Sequence, residues 1–498
     1  IPSKKVLKFS KKVKFARKHR LLLAKFNHFF YIIQIFTKVD NMDRKSWSSR
    51  LTYILAVAGA TVGFGATWRF PYLVGQNGGG AYVLVFCIAM IVIGIPMILV
   101  ENAIGRRLKC NAVDAFGGTV NGKKISKKWQ VVGWMGLVGA FGIMAYYMVI
   151  GGWVLNYIAQ ISFGLLDLSH IVSFEQTSAF YEQNIVSNPL AISFATLVFV
   201  LVNYAILVQG AVGGIERSAK YLMPLLFILM LVMIAKNITL GGAMEGVKFY
   251  LTPDFSKINL KLFVEVLGQV FFALSLGFGV MITLSSFVKK DEGLVKISII
   301  TGILNTVIAV LAGFMIFPSL FSYGVSPDSG PSLVFKSLPI VFSHMPFGGF
   351  FAVAFFALLM IAALTTSLPI YEVIITTLQE KFKIKRKKAI FLVLSVIFVL
   401  GNLPSLMATN LLSHVSIFGK NIFDAYDAIS ATIFFVLTSL GCAIFVGWVL
   451  KDEAKKEILQ GSEKYAKLIN IWFFYIKFIV PFVILVLFIS SFYDNFLK

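Results

Sequence analysis

Apolar runs of membrane-spanning length alternate along the chain with short basic or mixed stretches. A helix that crosses a bilayer needs roughly 20 predominantly apolar residues. About eleven segments reach that length, centred near Val62, Ile91, Tyr146, Val200, Phe227, Ser275, Val310, Ala357, Val396, Phe435 and Ile479. The pattern predicts an all-α integral membrane protein. Two segments carry paired glycines at mid-depth. The first reads Gly59-Ala60-Thr61-Val62-Gly63-Phe64-Gly65, and the sixth reads Ser275-Leu276-Gly277-Phe278-Gly279. Glycine weakens helix continuity, and unwound backbone is tolerated in a membrane only where it lines a cavity or is buried in protein. The breaks lie five segments apart, an odd number, so the second runs through the bilayer in the opposite direction. That is the pattern of an inverted-repeat carrier with its site at the midplane. Close packing of helices through small residues is the simpler explanation for a single Gly-Phe-Gly, but a matched pair favours a site.

Composition sharpens this picture. Of 498 residues, 58% are hydrophobic and only 14% charged, against about 25% charged in ordinary soluble domains. Soluble enzymes, nucleic-acid binders and disordered scaffolds are poor fits. The net charge of +23 would suggest nucleic acid in a soluble protein, but here the basic residues sit in loops. Arg106, Arg107, Lys109, Lys123, Lys124, Lys127 and Lys128 follow segment two. Lys381, Lys383, Lys385, Arg386, Lys387 and Lys388 follow segment eight. By the positive-inside rule the N-terminus is expected in the cytoplasm and the C-terminus outside, in a bacterial-type inner (plasma) membrane. Three cysteines without CxxC spacing and five scattered histidines give no disulfide framework or zinc pattern. Residues 1–41 hold 11 Lys/Arg and one acid. They are expected to be upstream, non-native sequence before Met42; a basic amphipathic segment on the membrane surface is the alternative.

At this point the motifs become recognisable. Gly63-Phe64-Gly65-Ala66-Thr67-Trp68-Arg69-Phe70-Pro71, Asn77-Gly78-Gly79-Gly80-Ala81, Gly94-Ile95-Pro96 through Glu101, Gln269 through Gly279, and Ala362-Ala363-Leu364-Thr365-Thr366-Ser367 resemble the neurotransmitter:sodium symporter family, over nearly all of 44–498. The resemblance implies the leucine-transporter-type fold, a 5+5 inverted repeat with helices one and six broken. The tail and first repeat would occupy 42–239, the second repeat 240–452 and an eleventh helix 453–498. The implied function is sodium-coupled symport of a neutral or hydrophobic amino acid by alternating access, with no enzymatic step.

The same resemblance assigns residues. Gly63, Phe64, Gly65, Ile143, Tyr147, Phe272, Ser275, Phe278, Ser367 and Ile370 would hold the substrate. Backbone N–H groups near Phe64 and Gly65 suit a carboxylate. Relatives that carry monoamines have an aspartate at the position of Gly63. Gly59, Val62, Ala362, Thr365 and Thr366 would hold one sodium, a hard cation that takes oxygen ligands. A second family sodium site is degraded: Ala66 and Ala273 replace oxygen-bearing side chains, leaving Thr61 and Asn305. One ion is therefore expected. Phe86 and Ala309 depart from the chloride position, so chloride dependence is not expected. Arg69, Gln269 and Asp424 match the extracellular gate, and Arg44, Trp47 and Glu380 the cytoplasmic one. Glu101 is expected to bond exposed backbone at the helix breaks. Glu372 is an intramembrane acid, costly unless functional or paired, and is a candidate proton site. The remaining alternatives are a proton-coupled or sodium-independent amino acid carrier and a non-transporting sensor on the same fold. The partners implied are a small amino acid and the lipid bilayer, with no nucleic acid and the oligomeric state open.

Overall fold

The computed structural model describes residues 46–166, 168, 173–326, 333–406 and 415–497; Arg44 and the 1–41 segment lie outside them. Helix α1 (Arg50–Thr61) opens with a capping box, in which Ser49 Oγ accepts from the Thr52 N–H and Thr52 Oγ1 accepts from the Ser49 N–H. It stops at the first glycine pair, and the chain bends by 53° into α2 (Gly65–Gln76). Then follow α3 (Gly80–Leu108), α4 (Lys127–Ser162), α5 (Pro189–Leu207) and α6 (Ala211–Ile238). The second break separates α7 (Leu260–Ala273) from α8 (Val280–Ser285). The chain continues through α9 (Leu294–Ser322), α10 (Gly348–Phe382), α11 (Arg386–Leu406), α12 (Asp424–Leu450) and α13 (Glu463–Leu497).

Among the described residues, eight helices are individually long and apolar enough to cross a membrane, and the bent α1–α2 pair makes a ninth. Segment six does not reach spanning length in either half, because its 14-residue and 6-residue pieces flank an unwound stretch. Segment nine is the 21-residue α11, which begins in the basic loop. The centres expected from the sequence fall in helices, or at Val62 and Ser275 in the breaks themselves.

Burial separates an inner from an outer set. The most apolar windows of α4 and α10 are 78% and 72% buried inside the protein, against 22% for α13. The inner helices pack on each other, and α10 also packs on α1 and α6. The halves on either side of each break thus lie among protein rather than lipid. A short hairpin of β1 (Thr119–Val120) with β2 (Lys123–Lys124) stands in the loop after α3. Its Asn121-Gly122 turn has positive φ at both positions, the backbone that tight hairpins demand.

One end of the bundle, called here the Trp47 end, is tied by charge. Arg106 is fully buried and pairs with Glu457 at 2.7 Å, while also donating to the carbonyls of Lys290, Glu292 and Glu457. Lys290 reaches the same carboxylate at 2.6 Å. A buried guanidinium is tolerable only when its N–H groups are met in this way.

Candidate transport site

The two breaks leave backbone groups without helical partners, and buried side chains meet them. Glu101 Oε1, on α3, accepts from the Gly277 N–H at 2.7 Å. Asn305, on α9, donates from Nδ2 to the carbonyls of Thr61 (2.9 Å) and Ala273 (3.2 Å), the last residues of α1 and α7. Gln269 Nε2 donates to the Gly65 carbonyl at 2.6 Å. Ser275 Oγ donates to the Ala60 carbonyl at 3.0 Å, and Ser275 itself holds φ +51°. A non-glycine residue in that region is uncommon and costs of order 1 kcal/mol or more. Gly277 could not be replaced, because a Cβ there would run into the backbone of Phe435. Irregular backbone at membrane depth persists only with such partners.

The expected substrate residues gather around these breaks. The Phe64 N–H points to Tyr147 Oη at 3.4 Å, and the two rings lie 4.8 Å apart. Gly63 faces Tyr147 and Thr366 so closely that an added Cβ would come within 2.6 Å of Tyr147 Oη and would overlap Thr366 Oγ1. A Cβ on Gly65 would lie 3.0 Å from the Phe272 ring. Phe272 stands edge-on to Phe278 at 6.3 Å, and Phe278 stacks on Phe435 at 3.6 Å. Ile143 and Ile370 are buried. Ser367 departs from expectation. Its hydroxyl donates to Asn203 Oδ1 on α5 at 2.7 Å, which turns it toward the scaffold. One position earlier on α10, about 100° around the helix, Thr366 is the hydroxyl that faces Gly63 and Tyr147.

The residues expected to hold sodium line the crevice between α1 and α10. Thr366 Oγ1 donates to the Gly59 carbonyl at 2.8 Å and, like Tyr147 Oη, faces Gly63. Thr365 Oγ1 donates to the carbonyls of Ile361 (2.9 Å) and Ala362 (3.2 Å). Gly59 abuts Thr365, so an added Cβ would sit 3.1 Å from Thr365 Cβ. Val62 caps α1 and is fully buried. Across the two helices the Thr366 hydroxyl meets the Gly59 carbonyl, while Thr365 bonds carbonyls of its own helix beside Gly59; these are hard oxygens of the kind a small cation takes.

The gate residues are partly rearranged. Asp424 is exposed at the start of α12 and bonds Asn421. Asp427, one turn further on, accepts from Tyr146 Oη at 2.7 Å and is the carboxylate in electrostatic reach of Arg69. Two aspartates at i and i+3 share a helix face; Asp424, the expected partner of Arg69, is the exposed one and is bonded to Asn421, and the deeper Asp427 stands in its place beside Tyr146. The Arg69 guanidinium also lies 4.4 Å from the Phe272 ring centroid. Gln269 is committed to Gly65, as described above. Arg69, Glu265, Phe272, Phe435 and Asp494 line a cavity of about 230 Å³, here called the Arg69 end.

At the opposite end, Trp47 is buried, donates from Nε1 to the Leu284 carbonyl at 3.0 Å and packs on Tyr53 and Phe287. Glu380 accepts from the Asn111 N–H at 2.7 Å, pinning the loop after α3. In that loop Asp114 is paired with Lys381 at 2.8 Å. Burial pushes its carboxyl up, but the bonds from Lys381 and Asn111 outweigh it and hold it below the ordinary carboxylate range. Glu372 is fully buried and forms a two-pronged pair with Arg386, at 2.8 and 2.7 Å, which matches the structural pairing that an intramembrane acid otherwise needs.

A helical membrane carrier with two broken helices crossing at a polar centre is the class this geometry defines. The comparisons agree. The sodium:neurotransmitter symporter family matches residues 44–168 and 167–496. A sodium-dependent transporter of Haemophilus influenzae is 64% identical over 454 residues, 91% of this chain and 99% of its own length. One from Bacillus subtilis, YhdH, is 36% identical, covering 89% and 97%. The crystal structure of MhsT in complex with L-phenylalanine superimposes with a TM-score of 0.81 at 38% identity, over 90% of this chain and 100% of that one. The chain belongs to the sodium:neurotransmitter symporter family and is a multi-pass membrane transport protein, not an enzyme. Its fold is the leucine-transporter type.

Proposed function

We propose that the protein carries a neutral or hydrophobic amino acid together with one sodium ion, by alternating access. The observation that carries this reading is the position of the Thr366 hydroxyl, which donates to the Gly59 carbonyl and stands with Tyr147 Oη against Gly63. One hydroxyl touches both the oxygen set suited to the ion and the Gly63–Tyr147 region suited to the substrate. An ion bound there organises the break in α1, and that order is what the substrate carboxylate needs; this is a coupling free energy between two ligands. The Phe64 N–H and the Tyr147 hydroxyl, side by side at the break, suit a carboxylate, and Ile143, Phe272, Phe278 and Ile370 suit an apolar side chain. The phenylalanine bound to MhsT supports the same class.

The reading of one sodium rests on the loss of side-chain oxygens from the second site, where Thr61 and Asn305 remain. There, Asn305 donates its N–H groups to the carbonyls of Thr61 and Ala273, and alanines stand at 66 and 273. Chloride is not required. The Trp47 end faces the cytoplasm, where the basic loops gather, so Arg69 with Asp427 forms the outer gate and Trp47 with Glu380 the inner one. Uptake of the twenty amino acids into proteoliposomes, in sodium against potassium, tests the reading. Saturable uptake of neutral amino acids with a sodium Hill coefficient near one is expected. Uptake that ignores sodium would overturn the ion coupling, and a coefficient near two would overturn the single site.

A further inference from the structure

A groove of about 490 Å³ runs between α4 and α12, away from the transport site and open along one side. Its lining is apolar, from Trp134, Val138, Phe141, Ile429 and Phe434, with the hydroxyls of Tyr426 and Ser430 as its polar groups. Inside a bilayer such a wall is wetted by acyl chains. What distinguishes the groove is the Trp47 end. There Phe382 packs edge-on against Trp134 at 6.3 Å, and Lys381 Nζ lies 5.8 Å from the Trp134 ring. Lys381 is already paired with Asp114. Lys383, however, caps α10 directly after Phe382, and Lys127 and Lys128 open α4 about two turns before Trp134. All three lysines are exposed. Tryptophan at the water–lipid boundary with lysines just beyond it is the arrangement that recognises a membrane surface.

We propose that this groove is a selective site for one anionic phospholipid, with an acyl chain along α4 and α12 and its phosphate met by Lys127, Lys128 and Lys383. A neutral lipid fills the groove equally well but leaves the lysines without a counter-charge. A second copy of the chain is disfavoured, because a two-fold contact sets the same surface against itself and so brings these lysines together.

The test uses the full chain in neutral detergent, titrated with phosphatidylglycerol or phosphatidylcholine of identical acyl chains, each also prepared with brominated chains. Phosphatidylglycerol is expected to raise Tm several degrees more than phosphatidylcholine. That difference should vanish in a K127Q/K128Q/K383Q variant that retains amino acid uptake. Brominated phosphatidylglycerol should quench tryptophan fluorescence more than the brominated choline lipid, and Trp134→Phe should remove the excess. This second readout needs only the wild type and one mild variant, so it decides the matter even if the triple variant misfolds. Equal effects of the two lipids, or a selective effect that survives the lysine substitutions, would overturn the proposal. So would efficient cross-linking of two copies through Val138→Cys in a background lacking the native cysteines, which would show a protein interface instead.

Discussion

Thr366 is the residue on which ion and substrate meet, and its chemistry makes a sharp prediction. Thr366→Val keeps the shape and removes the hydroxyl that bonds Gly59 and stands beside Tyr147 at Gly63. A buried polar group left unpartnered costs about 1–3 kcal/mol, so the sodium concentration for half-maximal uptake should rise about tenfold or more. Thr366→Ser should recover most of it. Ser367→Ala, whose hydroxyl goes to Asn203, should lower Tm slightly and leave sodium dependence alone; equal effects at both positions would refute the assignment. At the gate, Asp427→Asn should cut uptake severely while Asp424→Asn leaves it near wild type, measured side by side in proteoliposomes. These pairs also show where sequence reading stops. The Thr-Thr-Ser and Asp-x-x-Asp patterns place the right residue types on the right helices. Choosing among neighbours requires the rotation of α10 and of α12, which packing fixes and a single sequence does not encode. Asp427 carried one signal that was there to be read: it lies one turn from Asp424, on the same face.

At the scale of elements, the breaks are made by glycines but held by partners from elsewhere. The glycine pairs were legible because they interrupt long apolar runs, and so was a supporting role for Glu101. The partners of Asn305 were not, since nothing local links position 305 to the ends of α1 and α7. Both side chains act on the same principle, so their removal should look alike. Glu101→Ala strips the Gly277 N–H of its acceptor, and the unpartnered group costs about 1–3 kcal/mol. Tm should fall and uptake with it. Glu101→Gln retains a carbonyl oxygen and should keep most of both. If the glutamine variant fails as badly as alanine, the charge of Glu101, not its hydrogen bond, is what the break requires. Ser275 adds a complementary case, because its left-handed backbone is offset by the bond to Ala60. Ser275→Gly removes strain and bond together, so it should be milder than Ser275→Ala, which removes only the bond.

Across the whole molecule, the two ends differ in what holds them. A cavity at the Arg69 end reaches Phe272, while the Trp47 end is closed by several weak ties. Ser48 donates to Glu216 on α6, Arg50 pairs with Glu292, and Trp47 bonds the Leu284 carbonyl. All three hold the start of α1 against α6, α8 and the loop after α8. The Arg50–Glu292 pair is partly exposed, at 40% and 24%, and pairs of that kind are worth about 0–1 kcal/mol. That is too little to matter for folding and enough to matter for a carrier, since about 1 kcal/mol between two states shifts their ratio about fivefold. A thiol placed by Ile297→Cys, beside Trp47 and Glu292, in a background free of Cys87, Cys110 and Cys442, would report on this end. Labelling by a water-soluble maleimide should be slow in sodium and faster when the amino acid is added with it. Adding Arg50→Ala should raise the sodium rate by up to about fivefold while weakening apparent sodium affinity by the same factor, because the ion and the tie stabilise the same closed state. A change in labelling with no change in sodium affinity would separate the tie from the transport cycle and leave it a purely structural contact.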